Sequence, residues 1–162
     1  ITGKKAIMYS YMGITLGDFA CGLLSQLIKS RRKAVFIFLL ITAIGFASYF
    51  TANGASSAYF YFTMALMGIG TGFWAVIVTN AAEQFGTNIR ATVSTTVPNF
   101  IRGSLPIITL FYSMFTAFFM SENKPVAELK AAALLAFFIT IIPMIALYFS
   151  EETFGKELDY IE

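Results

Sequence analysis

The hydrophobic positions of this chain fall into long, almost unbroken runs separated by short polar segments. A helix rises about 1.5 Å per residue, so about twenty apolar residues can cross the roughly 30 Å hydrocarbon core of a bilayer. Strands of a transmembrane barrel would instead alternate apolar and polar residues over segments of about ten. The pattern therefore predicts an all-α integral membrane fold with five transmembrane helices, at about 6–28, 34–52, 57–81, 93–120 and 131–150.

The polar segments between the runs carry the residues that end helices. Basic residues cluster at 29–33, and Asn53-Gly54 opens the turn before the third run. Residues 83–90 contain a glycine, and residues 121–130 contain a proline among four charged side chains. Glycine and proline are the strongest local interruptions of regular structure. The final residues, 151–162, then form a polar tail after the fifth run.

Composition supports the membrane class and removes several functions. Hydrophobic residues make up 57% of the chain and charged residues only 12%, whereas a soluble domain carries about 25% charged residues. Histidine is absent and Cys21 is the only cysteine, which leaves no imidazole base, no His or Cys metal site and no internal disulfide. We therefore expect no enzyme, no metal and no cofactor. A net charge of +2 is too small to indicate a nucleic-acid partner.

Basic residues set the expected orientation, because short cytoplasmic loops carry an excess of Lys and Arg. One side of the predicted bundle holds Lys29, Arg31, Arg32, Lys33, Arg90 and Lys156. The opposite side holds Lys4, Lys5, Lys124 and Lys130. We expect the side with the 29–33 cluster and the C-terminus to face the cytoplasm, and the N-terminus to face outward. This orientation predicts a multi-pass protein of the plasma (inner) membrane.

Two ionisable side chains, Asp18 and Arg102, lie inside predicted spans. Each would cost about 2.5–3.5 kcal/mol at the bilayer centre on insertion scales, so neither is expected to face lipid. Asp18 is ten residues from Ile28, and Arg102 is nine from Val93. At about 1.5 Å per residue these depths are about 15 Å and 14 Å from the same side. The two residues are therefore predicted at similar heights.

Polar residues accompany both of them at helical spacing, so that each forms part of a stripe along one helix face. The first stripe contains Tyr11, Thr15, Asp18, Gly22 and Ser25. The second contains Thr95, Asn99, Arg102 and Pro106. Two polar stripes at matched depth predict the walls of one water-accessible cavity. Pro106 and Pro98, on either side of Arg102, predict a kink that serves as a hinge or as a fixed bend.

Three polar segments lie on the predicted cytoplasmic side: Gly22 to Arg32, Glu83 to Thr92, and Glu152 to Leu158. They are similar, in this order, to the loop G-x-x-x-D-[RK]-x-G-R-R, the turn E-x-F-P-x-x-x-R-A-T and the tail P-E-T-x-G. These motifs occur in the C-terminal half of the major facilitator superfamily, and the resemblance is closest to its sugar-porter and metabolite:proton symporter branches. Gln26 replaces the Asp of the first motif, and Gly86 replaces the Pro of the second.

The resemblance implies that the five spans correspond to helices eight to twelve of a twelve-helix transporter. Residues 1–162 would then be part of a C-terminal six-helix bundle, and the seventh helix and the N-terminal half would be missing. An odd number of spans and a first residue, Ile1, that is not Met fit a fragment. In such transporters two bundles rock about a central site.

The resemblance also assigns a cytoplasmic gate to charged residues of the first two motifs. The candidates are Arg31, Arg32, Glu83 and Arg90, with Glu83 expected to pair with Arg31 or Arg32. In the superfamily such loops latch the two halves together. An alternative is that the basic cluster only anchors the loop on the cytoplasmic side.

Roles for the residues within the spans stay open between function and packing. Asp18 is a candidate proton carrier and Arg102 a candidate ligand for an anionic substrate, but the two could equally form a structural ion pair. Trp74 follows Gly68, Gly70 and Gly72, which resembles the tenth helix of sugar porters, where the indole stacks on sugar. Alternatively Trp74 is a packing residue or an interfacial anchor.

Spacing of the small residues predicts where helices approach one another. Gly13 with Gly17, and Gly68 with Gly72, have the small-x-x-x-small spacing of close helix contacts in membranes.

The predicted function is the C-terminal part of a secondary active transporter that moves a small polar metabolite, a sugar or organic acid, with protons. The expected partners are the lipid bilayer, the missing N-terminal half, the small-molecule substrate and protons. Tyr11, Thr15 and Asn99 join Asp18, Arg102 and Trp74 as candidates for the substrate or proton pathway. The alternative is a transporter-like receptor or scaffold without turnover, which the altered motif residue Gln26 favours.

Overall fold

The structure, a computed structural model, describes residues 1–52, 54–120 and 123–156. All regular elements in these residues are helices: α1 (Gly3–Ile28), α2 (Arg31–Thr51), α3 (Ser57–Thr71), α4 (Trp74–Ala82), α5 (Thr87–Gly103), α6 (Leu105–Phe118) and α7 (Lys124–Phe149). Residues 157–162 of the predicted tail, together with Asn53 and residues 121–122 of two predicted loops, lie outside the described residues.

Five helical segments are long and apolar enough to cross a membrane: Gly3–Ile28, Arg31–Thr51, Ser57–Ala82, Thr87–Phe118 and Lys124–Phe149. The prediction of an all-helical chain with five membrane-length segments is therefore confirmed. These segments are compatible with a multi-pass membrane protein. Successive segments run in opposite directions, so one end of the bundle, here called the basic end, holds the ends of α1, α4 and α7 and the beginnings of α2 and α5.

Two helices begin well before the apolar runs that predict them. α5 begins at Thr87, where Gly86 takes the extended conformation of an N-cap. α7 begins at Lys124, with Pro125 in its first turn. Proline is favoured there because its fixed φ suits a helix and its missing N–H would have no partner in any case. Pro125, which indicates a loop when only the sequence is considered, therefore lies in the first turn of α7.

The third membrane-length segment is interrupted, because α3 ends at Thr71 and α4 begins at Trp74. Gly72 and Phe73 lie between them. Gly72 packs directly on the backbone of Gly17 and Asp18 in α1, and a side chain at this position would overlap it. Glycine disfavours a continuous helix and permits this close approach. The interruption therefore lies where α1 crosses the segment.

The fourth segment is interrupted as well, at Ser104 between α5 and α6. Pro106 lies in the first turn of α6, so it supplies no N–H to the carbonyl of Arg102 and clashes with a continuous helix there. Pro98 instead lies inside α5, and Pro143 lies inside α7. Of the two prolines that bracket Arg102, Pro106 accounts for the break.

Glycines produce the closest helix packing, between α1 and α3. Side chains at Gly13 and Gly17 would overlap the backbone of Ala65 and Ile69, and one at Gly68 would overlap that of Ser10. The predicted small-x-x-x-small contacts are therefore confirmed, and they join α1 to α3.

Burial is uneven across the bundle. The core lies between α1, α2 and α4 and consists of Cys21, Ala34, Val35, Phe38, Leu39 and Val76. By contrast α5 and α6 contain no buried residue. The polar stripes of α1 and α5 flank this open side of the fold.

Candidate functional site

The loop between α1 and α2 positions Arg31 at the basic end. Lys29 takes a left-handed conformation (φ 53°) and ends α1, with the N–H of Ser30 bonded to the carbonyl of Ser25 at 3.2 Å. The hydroxyl of Ser30 then accepts a hydrogen bond from the N–H of Lys33 at 3.1 Å and caps α2. This two-residue turn makes Arg31 the first residue of α2.

Asp18 lies on α1 beside the interruption between α3 and α4. Its Oδ1 accepts a hydrogen bond from the backbone N–H of Ala75 at 3.2 Å. Ala75 belongs to the first turn of α4, where the N–H groups have no partner within the helix and the helix dipole favours negative charge. The Asp18 carboxylate therefore supports the start of α4 from a neighbouring helix.

Arg102 reaches the same place from the last turn of α5. Its guanidinium carbon is 5.9 Å from the centre of the Trp74 ring, which is within the roughly 6 Å range of a cation–π contact. Trp74 is the first residue of α4 and precedes Ala75. Asp18 and Arg102 thus contact consecutive residues of one helix end, which is consistent with their predicted equal depths.

Within the part of the chain that the structure describes, Asp18 and Arg102 do not form an ion pair with each other. The ion pairs found there join Arg31 to Glu83 and Lys156 to Glu151. Asp18 has a backbone partner and Arg102 an aromatic one. This geometry favours separate roles for the two residues over the structural-pair hypothesis.

Three further pathway candidates, Tyr11, Thr15 and Asn99, are exposed. The hydroxyl of Thr15 donates to the carbonyl of Tyr11 at 3.0 Å, and the amide of Asn99 donates to the carbonyl of Thr95 at 3.1 Å. Both bonds lie within one helix, so neither draws the side chain toward another helix. These three side chains therefore face outward from the described fold, whereas Ser25, in the same stripe as Tyr11, is buried.

A cavity of about 470 Å³ runs along the groove between α1 and α4, from Asp18 to Arg31. Gly22 and Gln26 line it from α1, and Thr79 lines it from α4. Ligand pockets in proteins have volumes of about 300–1,000 Å³, so this groove can hold a small solute or several waters. It connects the carboxylate of Asp18 with the basic end.

The basic end contains a cluster of polar side chains around Arg31. Nη2 of Arg31 lies 3.1 Å from Oε1 of Glu83, and the two side chains are only 13% and 12% exposed. Nη1 of Arg31 donates to the hydroxyl of Ser25 at 2.9 Å, and its guanidinium carbon lies 5.2 Å from the centre of the Phe154 ring. The expected pairing of Glu83 with a loop arginine is therefore present, and it joins α2 to α4.

Glu152 joins the segment after α7 to this cluster. Its carboxylate accepts hydrogen bonds from the hydroxyl of Ser30 and from the backbone N–H groups of Arg31, Arg32, Thr153 and Phe154. Partial burial acts to raise the pKa of Glu152, but the hydrogen bonds from Ser30 and from the backbone outweigh it and lower the pKa below its ordinary value. The ionised carboxylate thus caps α2.

The remaining gate candidates make other contacts. Nη2 of Arg32 donates to the carbonyl of Tyr148 at 2.7 Å and joins α2 to α7. Nη2 of Arg90 donates to the carbonyl of Phe85 at 3.1 Å, within the turn before α5. Arg31 and Glu83 therefore form the central contact of the cluster, and Arg32 joins the start of α2 to the end of α7.

Sequence reasoning misses several members of this cluster. The hydroxyl oxygen of Thr153 lies 2.6 Å from Oε2 of Glu83 and 2.8 Å from Oδ1 of Asn80, and Glu152 caps α2. Signals for them exist in the sequence. Glu152 and Thr153 belong to the third motif, and Asn80 is a lone amide one helical turn before Glu83 in an apolar run.

Among the described residues, no three His, Cys, Asp or Glu side chains gather to hold a metal ion. No protein-family model, curated protein or solved structure matches the chain. Membership of the major facilitator superfamily therefore stays a prediction from the three motifs.

Proposed function

We propose that the chain is the C-terminal part of a secondary active transporter that moves a sugar or organic acid by proton-coupled alternating access. The observation that carries the proposal is the interruption between α3 and α4, where Asp18, Trp74 and Arg102 meet. Transporter sites are typically built at discontinuous membrane helices, whose half-helix ends interact with charged groups. In an otherwise apolar bundle, this is where a polar substrate finds partners.

Each of the three residues has a role in this proposal. Arg102 binds a carboxylate or hydroxyl group of the substrate through its guanidinium fork. Trp74 offers a flat apolar face for the carbon skeleton. Asp18 carries the proton, and because protonation weakens the acceptor that bonds the N–H of Ala75 without removing it, proton binding is coupled to the position of α4 and not to folding.

Exposure of the polar stripes supports a second bundle as the partner. Tyr11 and Asn99 are exposed, as is Arg102. If the Arg102 side chain faced hydrocarbon at the bilayer centre, it would cost about 2.5–3.5 kcal/mol on insertion scales. The N-terminal half of the transporter would cover this face and leave a water-filled cavity between the halves.

The Arg31 cluster acts as the cytoplasmic gate in this proposal. It ties together α2, α4 and the segment after α7. A change of about 1 kcal/mol shifts two conformations that are near balance, and a pair that is only 13% and 12% exposed is not limited to the roughly 0–1 kcal/mol of exposed pairs. The Arg31–Glu83 pair is shielded, so it holds the basic end of this half together as one unit.

Reconstitution of the intact protein in liposomes, with a pH-sensitive dye inside, tests the proposal. One solute of a panel of sugars and organic acids should drive proton entry. A neutral sugar moved with one proton should be accumulated about fiftyfold by a 100 mV potential, since the charge that crosses contributes about 2.3 kcal/mol. A monocarboxylate moved with one proton carries no net charge and should be accumulated by a pH gradient instead. Arg102→Gln should lose this uptake, while Lys124→Gln, an exposed cation at the opposite end, should keep it. Uptake by residues 1–162 alone would contradict the requirement for a second half.

The alternative is a transporter-like receptor or scaffold that binds a solute without turnover. Gln26, which replaces the motif Asp, lines the cavity between α1 and α4 and supports this alternative. Saturable binding of a solute without any proton flux in the same liposomes would favour the receptor. Substrate-dependent proton flux would exclude it.

A further inference from the structure

A second cavity, of about 780 Å³, lies at the basic end between α2 and α7, away from the proposed transport path. We call it the α2–α7 pocket. Its rim carries Lys29, Arg32 and Lys33 together with the carboxylate of Glu152. Its inner wall is apolar and includes Phe36, Ile37, Met144 and Leu147.

In the described part of the chain, the positive charge at the rim is not balanced by carboxylates. Glu152 already accepts hydrogen bonds from Ser30 and from the first N–H groups of α2, so its charge is directed to the backbone. Among the described residues, no carboxylate pairs with the ammonium group of Lys29 or Lys33. Lys33 also lies in the first turn of α2, where the helix dipole disfavours a cation. An external anion would therefore stabilise this rim.

The depth of the α2–α7 pocket and the exposure of its wall residues indicate what kind of anion fits. Phe36 is five residues into α2 and Met144 is five residues from the end of α7, so the apolar wall reaches about 7–8 Å below the rim. Phe36 and Tyr148 are 44% and 75% exposed, so the pocket opens sideways along the helices. In a bilayer that opening would face the acyl chains just below the headgroups.

We propose that the α2–α7 pocket binds an anionic phospholipid. Its phosphate lies between Lys29 and Lys33, and one acyl chain follows Phe36 and Met144. Basic pockets between membrane helices bind acidic headgroups in this way. Free phosphate would use only the rim, and an acidic peptide would leave the apolar wall uncovered. A zwitterionic lipid brings its own cation and gains less from the lysines.

Titration of the intact protein in an uncharged detergent with a fluorescent phosphatidylglycerol, followed by anisotropy, tests the proposal. Lys29→Gln and Lys33→Gln should each weaken binding about fivefold, because each basic residue near the surface contributes about that factor. Lys33→Arg keeps the charge and should bind as the parent does. Lys4→Gln is the matched control at the opposite end of α1 and should also leave binding unchanged. Phe36→Ser should weaken binding as well, since the acyl chain loses its wall.

Competition separates the sources of the anion, and circular dichroism shows that each variant keeps its helices. Unlabelled phosphatidylglycerol should displace the probe, whereas inorganic phosphate and phosphatidylcholine should not. Displacement by phosphate at the same concentration would show a simple anion site and overturn the proposal. Equal displacement by phosphatidylcholine, an equal loss in Lys4→Gln, or stronger displacement by an acidic peptide would overturn it too.

Discussion

The Asp18 carboxylate accepts a hydrogen bond from Ala75, and in the proposed function it also carries the proton, so two properties can be tested separately. Asp18→Asn keeps an oxygen that can accept the bond but removes the titratable group, whereas Asp18→Ala removes both. Asparagine caps helices about as well as aspartate, while alanine costs about 1 kcal/mol. We therefore expect Asp18→Asn to fold normally and to lose proton-coupled uptake, and Asp18→Ala to lose uptake and stability.

Unfolding in sodium dodecyl sulfate and proton flux in liposomes measure these two effects independently. Gly3→Ala, in open space at the opposite end of α1 and away from the cavity, serves as the control for protein preparation and reconstitution. If Asp18→Asn showed the same proton coupling as the parent, Asp18 would not be the group that carries the proton. A folding loss in Asp18→Asn equal to that in Asp18→Ala would mean that the charge, and not the hydrogen bond, supports α4.

Glu152 gives the protein a defined pH dependence. Its pKa in the folded state is lower than the ordinary value of about 4.3, so its contribution to stability is present above that value and is lost as the pH falls through the folded pKa. We expect Glu152→Gln to lower the free energy of unfolding by about 1 kcal/mol at pH 7, because a neutral amide accepts the converging bonds from Ser30, Arg31 and Arg32 more weakly than the ionised carboxylate does. The difference from the parent should shrink as the pH falls below that ordinary value and vanish once the pH lies below the folded pKa of Glu152.

Thermal unfolding of the two proteins between pH 3 and pH 8 provides the measurement. Glu151→Gln is the matched control, because Glu151 is exposed and pairs only with the exposed Lys156 in the described chain. A loss in Glu151→Gln as large as that in Glu152→Gln would show that tail charge, rather than the cap on α2, stabilises the fold.

Individual functional residues are predictable from the sequence to the extent that they are rare. Asp18 and Arg102 stand out because the bilayer disfavours them, and spacing along the helix predicts their depth. The residues that Asp18 and Arg102 contact are not predictable. Helical spacing gives each residue's depth in the membrane, but it does not give the rotation of each helix about its own axis. The start of α4 at Trp74, which decides both contacts, is hidden in an apolar run.

At the scale of elements, glycine packing between α1 and α3 gives a sharp test. A methyl group at Gly17 would overlap the backbone of Ile69 and Gly72, whereas one at Gly22 meets nothing within van der Waals range. We expect Gly17→Ala to destabilise the fold by about 1–3 kcal/mol, because the backbones must separate. Gly22→Ala should instead be neutral or stabilise α1 by up to about 1 kcal/mol.

Both glycine variants change one helix by one methyl group, so their difference isolates packing from helix propensity. Unfolding by detergent, followed by circular dichroism, measures it. Equal stability of Gly17→Ala and Gly22→Ala would mean that α1 and α3 are not held at the distance described here.

Helices are predictable from hydrophobicity, but their ends and interruptions are not. The apolar runs predict five segments, yet α7 begins seven residues before its run because Pro125 suits a first turn as well as a loop. Conversely the run around Gly72 has no charge and no proline, and Gly68 and Gly70 lie inside α3 without interrupting it, so the sequence does not show which glycine ends the helix. Local propensity and tertiary contact both act at such positions, and the sequence shows only the first.

For the whole molecule, the basic end is the part that sequence motifs locate best. Three segments far apart in the chain meet there through Arg31, Glu83 and Glu152. Their shared side follows from counting spans, so the sequence predicts that they are neighbours. The buried contacts of Thr153 and Asn80 depend on side-chain geometry that no spacing rule provides.

The open side of the fold leads to a prediction about the assembled protein. Asn99 and Phe100 are neighbours on α5 and both are exposed, but they point in directions about 100° apart. If the polar stripe lines an aqueous cavity, a cysteine at position 99 can ionise and react with a charged maleimide, while one at position 100 faces hydrocarbon. A thiol reacts as the thiolate, and apolar surroundings suppress its ionisation.

We expect Asn99→Cys in the intact protein to be labelled at least about tenfold faster than Phe100→Cys. Cysteines outside residues 1–162 are first replaced by serine, and the parent should then stay unlabelled because Cys21 is buried. Substrate should then protect position 99 and leave position 100 unchanged. Equal rates at the two positions would place the stripe against lipid or against protein, and would remove the cavity on which the transport proposal depends.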